Sequence, residues 1–126
     1  MLTTLQIVDR FYAILHGKSY TNLYMHSKPL GDVRDEYIVI NALSSDAETL
    51  QECQINVNYH CKDIHTSKLI PDHVKLNTNA SGITTELDNY YDSVIDITEV
   101  FQSGPISEPE LQEHFINMRF TVRTIN

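Results

Sequence analysis

The sequence predicts an α+β fold: a mostly antiparallel β-sheet with two helices packed on one face and a terminal β-hairpin. Three observations support this prediction. Apolar residues recur at helical spacing near the N-terminus, a second run with the same spacing follows Pro71, and strict apolar–polar alternation occupies residues 53–61 and 114–124. A chain of 126 residues can bury one hydrophobic core, so we predict a single domain over residues 1–126.

Both predicted helices have start signals. Thr3 and Gln6 fit a capping box, and Gly17 is expected to end the first helix in a left-handed conformation. Asp72 is expected to help open the second helix, although residues 77–82 have poor helix propensity. Its apolar face is traced by alternating four- and three-residue steps through Leu76, Ala80, Ile83, Leu87 and Tyr90 or Tyr91.

The predicted strands fill the remaining segments. Residues 22–25 suggest a short strand, and residues 37–43 are apolar on both faces, which is typical of a central strand. Residues 53–61 alternate as a half-buried strand does. Residues 94–101 and 114–124 are joined by a broad turn with two prolines and are predicted to pair as the terminal hairpin.

The segment ECQINVNYHCKDIH, residues 52–65, could be a metal or thiol site instead of a strand. Its alternation places Cys53 and Cys61 on one apolar face, roughly 26 Å apart in an extended strand. A disulfide allows only about 4.4–6.8 Å between Cα atoms. His60 points to the opposite face from Cys61, so the two cannot share a metal ion. We therefore interpret this segment as a buried strand.

Three histidines and two aspartates cluster around the end of this strand and the following loop: His60, His65, His73, Asp63 and Asp72. Their spacing matches no closed metal motif. We interpret them as part of a solvated loop, with a divalent-metal site as the alternative.

Other chemical motifs are missing from the sequence. It has no G-x-S-x-G turn and no glycine-rich phosphate loop. Asp32, Asp35 and Glu36 flank a turn and suggest a solvated acidic edge. We therefore predict that the protein is not an enzyme and uses no cofactor or metal ion.

Net charge and the lack of targeting signals bear on which partners and which compartment we expect. The formal net charge of −8 argues against a sequence-independent nucleic-acid binder and suggests a basic protein partner. Tyr90 and Tyr91 accordingly are interpreted as core and rim residues, not as a base-stacking pair. The N-terminus does not resemble a signal peptide, and no apolar run is long enough for a membrane helix. We expect no membrane partner and synthesis in a reducing cytoplasm.

Several sequence segments, together with the order of the predicted helices and strands, resemble those of bacteriophage tail terminator, or tail completion, proteins. They are YIVINAL at 37–43, QINVNYHCKD at 54–63, PDHVKL at 71–76 and EHFINMRFTVRTIN at 113–126. In that family a proline-led strand segment, here 28–41, follows the first helix, and the last strand begins near a histidine, here His114. The similarity spans roughly residues 20–126.

The resemblance implies a non-enzymatic ring, commonly six-fold, at the head-proximal end of a virion's tail tube. The ring ends tube polymerisation and joins the tail to the head. Its partners would be other copies of the chain, a tail tube protein and a head or neck connector, with DNA only as passing cargo. The acidic excess could then line the bore.

A closed head-to-tail ring needs interfaces built from loops and exposed strand edges. The turn that carries the prolines and the segment from Lys28 to Glu36 are the best candidates. The predicted interface residues are Lys28, Asp32, Asp35, Glu36, Gly104, Pro105, Ile106, Glu108 and Glu110.

Two rival functions remain open at this point. One is a small acidic inhibitor or immunity-type protein that neutralises a basic partner. The other is a metal- or thiol-dependent enzyme centred on residues 60–73. Oligomeric state distinguishes the ring from the inhibitor, and metal analysis tests the enzyme.

Overall fold

The computed structural model describes residues 3–20, 22–29, 31, 34–43 and 52–124. Two helices and six strands follow in the order α1 (Thr4–Gly17), β1 (Leu23–Met25), β2 (Glu36–Ala42), β3 (Glu52–Lys62), α2 (His73–Leu87), β4 (Ile95–Gln102), β5 (Ile106–Glu108) and β6 (Glu113–Thr124). The polar sequence at residues 44–46 also predicts a turn, and these residues lie outside the described ones. The α+β prediction is confirmed.

The strands form one sheet in the order β1-β2-β3-β6-β4, with β5 also paired to β6. All pairs are antiparallel except β1 with β2, which run parallel. The predicted terminal hairpin is confirmed as the β4–β6 pair. The broad turn inside it was only partly predicted, because it contains β5 and a 3₁₀ turn over Pro109–Leu111.

One face of the sheet carries both helices and the core. Strict alternation along β3 buries Cys53, Ile55, Val57, Tyr59 and Cys61, as predicted. Alternate residues of β6 are buried on the same face. Among them, Phe120 packs edge-on against Phe11 of α1, with 5.9 Å between ring centroids. The helix-covered face is therefore fixed by the period of two along each strand.

The helices begin where the sequence predicts, but both end at residues other than the predicted ones. Thr3 and Gln6 form the predicted capping box, and Asp72 caps α2 by accepting from the Lys75 backbone N–H. Gly17, however, stays inside α1, and Ser19 adopts the left-handed conformation instead. The α2 face runs as predicted through Leu76, Ala80, Ile83 and Leu87, but the helix ends there, before Tyr90 and Tyr91. Among the described residues, no helix combines the length and apolar character needed to cross a bilayer.

Candidate functional site

Both helices of the described chain pack on one face of the sheet, and we call the other face the open face. Its centre is polar. Nδ2 of Asn117 donates to Oδ1 of Asn58 over 2.6 Å and to Oδ1 of Asn56 over 3.2 Å, and Asn56 in turn donates to Asn41. These side chains belong to β2, β3 and β6, so the amide network links the three strands across the open face.

At one end of the open face lies a cavity of about 580 Å³. One wall comes from the connection between β1 and β2, including Lys28, Pro29 and Arg34. The opposite wall comes from the β5–β6 region, including Glu108 and Glu110. The two segments predicted from the sequence to form interfaces are thus neighbours in space, across this cavity.

The floor of the cavity is an aromatic stack. The His60 ring lies between Tyr37 and Phe115, with centroid separations of 4.4 Å and 4.7 Å. Lys28 adds a cation–π contact, with Nζ 4.3 Å from the centroid of the Tyr37 ring. The stack ties β2, β3 and β6 together at this end of the sheet.

A buried carboxylate sits beside this stack. Glu113 accepts a hydrogen bond from the Tyr37 hydroxyl, and its Oε1 lies 3.1 Å from Nδ1 of His60. Burial alone would raise the pKa of Glu113, but the hydrogen bonds from His60 and Tyr37 and the charge of Lys28 lower it overall. Burial raises the pKa of Tyr37, and its hydrogen bond to Glu113 and the charges of Glu113 and Glu108 raise it further. Glu113 is therefore an ionised carboxylate with little exposure to water.

Glu108 joins this group from the short strand β5. It stands directly opposite Glu113 in the β5–β6 register, and its Oε1 lies 4.0 Å from Nδ1 of His60. Within the part of the chain that the structure describes, these three residues are the group of ligating side chains close enough to hold a metal ion.

This arrangement corrects the solvated-loop interpretation of the histidine and aspartate cluster. His60 and Asp63 are buried, whereas His65 and His73 are exposed. Asp63 instead contacts His114, whose Nδ1 lies 2.6 Å from its Oδ1. The five residues therefore do not form one cluster. His60 instead lies beside Glu108 and Glu113, a grouping that sequence reasoning missed.

The remaining predicted interface residues lie elsewhere. Glu36 projects from the helix-covered side of β2, where its carboxylate accepts from Tyr59 and lies 3.8 Å from Lys75 Nζ. Pro105 lines a different cavity, next to α2. Gly104 and Ile106 are exposed, Asp35 is exposed beside β2, and Asp32 lies outside the described residues.

Sequence reasoning did not single out Tyr37, Phe115 or Glu113. One signal for their location was present, since residues 37–43 are apolar on both faces. Tyr37 and Val39, on the open-face parity, are indeed buried along with Ile38 and Ile40. The open face is therefore shielded from solvent at the end of the sheet where Tyr37 and Val39 lie.

The two cysteines are free and buried on the helix-covered face, as the strand interpretation predicts. Burial raises the pKa of the Cys61 thiol to about 12, and burial also raises that of Cys53. Both are therefore protonated at neutral pH, and a protonated, enclosed thiol is a poor nucleophile.

We expect Cys61→Ala to lower the free energy of unfolding by about 1 kcal/mol, because the change removes a small buried apolar group. Cys61→Ser should cost more, because it buries a hydroxyl. Urea denaturation measures both effects. Equal stability of the wild type and both variants would contradict the structural role of Cys61.

The chain matches no protein-family model, and its sequence matches no curated protein. Solved structures do match. One is a chain of the "Virion of native gene transfer agent (GTA) particle", with a TM-score of 0.62 and 11% identity over 94% of this chain and 92% of that one. Another solved chain has the same TM-score and identity, with 96% of each chain covered. The protein shares their fold. At this identity the similarity establishes the architecture over nearly the whole chain.

Proposed function

We propose that the protein is a structural component of a phage-type virion and acts by assembly, not by catalysis. The observation that carries this proposal is the shared fold with a chain of the gene transfer agent particle, since the match leaves almost no part of either chain uncovered. The resemblance of residues 20–126 to tail terminator proteins points to the same class independently.

Within that class we propose a ring, commonly six-fold, at the head-proximal end of the tail tube, where it ends tube growth and joins the tail to the head or neck. A ring of identical copies needs two different surfaces that fit each other. The strands at the two ends of the sheet are β1 and β4, and β5 extends the β4 side. These strands lie on opposite sides of the sheet, as the two surfaces of a head-to-tail ring require.

The β4–β5 side has the character of a contact surface. Val100, Phe101 and Ile106 are exposed there at 52%, 48% and 39%. Clusters of exposed apolar side chains on a sheet edge favour association with another chain. Ile106 also belongs to the predicted interface segment, next to Glu108 and Glu110.

The net charge of −8 fits a bore that lets DNA pass without binding it. This placement of the charge is part of the proposal. A ring structure with a basic or neutral bore would contradict it.

The test is the oligomeric state of the purified chain, measured by light scattering and electron microscopy at rising concentration and with the tail tube protein. We expect rings, free or seated on tube ends. Ile106→Glu should abolish them while leaving the fold intact, because the side chain is already part-exposed. Leu5→Glu is the matched control on the exposed face of α1 and should form rings normally.

A chain that stays monomeric or dimeric under all these conditions, and never caps a tube, would overturn the proposal. Tight binding of a basic protein by such a monomer would favour the acidic inhibitor instead.

A further inference from the structure

We propose that His60, Glu108 and Glu113 form a binding site for one divalent transition-metal ion, with Zn²⁺ as the representative. The site lies at the cavity on the open face and joins three strands: β3, β5 and β6. One atom from each side chain lies within 4.8 Å of the other two. This inference does not depend on the proposed virion role.

The distances suit a tetrahedral ion. Zinc bonds to imidazole nitrogen and carboxylate oxygen are about 2.0–2.2 Å long, which places neighbouring ligand atoms about 3.4 Å apart. His60 Nδ1 lies 3.1 Å from Glu113 Oε1 and 4.0 Å from Glu108 Oε1. These values lie on either side of the ideal. A small movement of Glu108, whose side chain is 34% exposed, is enough to close the site.

The charges also favour a cation here. Glu108 and Glu113 are directly opposite each other on one face of adjacent strands, where like charges destabilise a sheet. Glu113 is also buried, so water screens the repulsion weakly. Three cationic side chains also line the cavity: Lys28, Arg34 and Lys62. Lys28 lowers the pKa of Glu113 and so offsets part of this repulsion. An ion between the two carboxylates would remove their repulsion.

The surroundings hold two of the ligands in place. The Tyr37 hydroxyl donates to Glu113, and the stack of Tyr37 and Phe115 fixes the His60 ring. Outer contacts of this kind orient metal ligands and strengthen binding. The cavity of about 580 Å³ supplies an entry path and room for water as the remaining ligand.

The donor set indicates the class of ion. One imidazole and two carboxylates suit Zn²⁺ and its transition-metal neighbours, whereas Mg²⁺ and Ca²⁺ prefer oxygen ligands alone. A bound ion would fix the three-residue strand β5 to β3 and β6 through side chains. It would thereby order the segment that leads into Pro109–Leu111.

The test is a calorimetric titration of the full-length, metal-stripped protein with Zn²⁺. We expect one ion per chain and a rise in melting temperature on binding. Glu108→Gln should weaken binding by at least about tenfold and abolish the rise in melting temperature. Without zinc this variant should be as stable as the wild type or slightly more so, because the substitution removes the repulsion with Glu113. Asp9→Asn is the matched control: it removes the same charge from an exposed side chain of α1, on the other face of the sheet, and should bind normally.

X-ray absorption of the zinc complex identifies the ligands directly. We expect nitrogen and oxygen at about 2.0–2.2 Å and no sulfur near 2.3 Å. The absence of saturable binding would overturn the site. So would unchanged affinity in Glu108→Gln, an equal loss in Asp9→Asn, or a sulfur ligand. A failure of ring assembly leaves all these measurements unaffected, so the two proposals fail separately.

Discussion

Phe120→Ala is expected to lower the free energy of unfolding by about 3–5 kcal/mol. Phe120 is fully buried on β6, stands opposite Ile55 of β3 and packs edge-on against Phe11 of α1. Truncation therefore leaves a void where the first helix meets the two central strands, and neighbours on both sides lose contacts.

Urea denaturation followed by circular dichroism measures this loss. Phe101→Ala is the matched control, because this ring is about half exposed and lies beside the Arg119 guanidinium, 5.5 Å from the ring centroid. The control should change stability by less than about 1 kcal/mol. Equal losses in the two variants would show that Phe120 is not in the core.

Asp92→Ala is expected to cost about 2–3 kcal/mol, because it removes several charge-assisted hydrogen bonds at once. Oδ1 accepts from the backbone N–H groups of Val94 and Ile95, at 2.7 Å and 2.9 Å. Oδ2 accepts from the Tyr90 hydroxyl and from Arg10, which belongs to α1. One side chain thus shapes the turn into β4 and attaches it to the first helix.

The Asp92 contribution should depend on pH. Burial alone would raise its pKa, but the bonds from Ile95, Val94 and Tyr90 and the charge of Arg10 lower it overall. A carboxylate with a lowered folded-state pKa stabilises the protein above its unfolded pKa of about 3.9. That stabilisation is lost as pH falls through the folded-state pKa.

Asp92→Asn separates charge from shape. Its amide oxygen can still accept from the Val94 and Ile95 backbone, so this variant should lose less stability at pH 7 than Asp92→Ala. Its stability should also fall less steeply than that of the wild type below about pH 4. Urea midpoints measured between pH 2 and pH 7 test both points. Identical acid slopes for the wild type and Asp92→Asn would refute the electrostatic contribution.

Local sequence patterns were enough to predict most of the fold. The capping box at Thr3 and the apolar steps along α2 depend on neighbours only three or four residues away. The alternation in β3 and β6 fixes which side chains enter the core, because a strand has a period of two. Residues 77–82 are helical despite their poor propensity, because the apolar face of α2 packs into the core.

Contacts between distant residues were not predictable in the same way. Nothing local in residues 23–25 specifies that β1 runs parallel to β2, and the β5 residues were interpreted as turn. The burial of His60 depends on residues far along the chain, since Glu113 and Phe115 belong to β6. The alternation along β3 placed His60 on the open face correctly. Alternation alone cannot show that the β1–β2 connection lies beside this end of the open face.

The parallel direction of β1 has a consequence for recognition. Two antiparallel strands can be joined by a tight turn, but a parallel neighbour requires the chain to travel back before it re-enters the sheet. Here that return path includes Lys28, Pro29 and Arg34, which line the cavity, and Lys28 lies over the Tyr37 ring of the aromatic stack. Lys28 and Arg34 lie outside β1 and β2, so substituting them would change the wall of this cavity and leave the pairing of β1 with β2 in place.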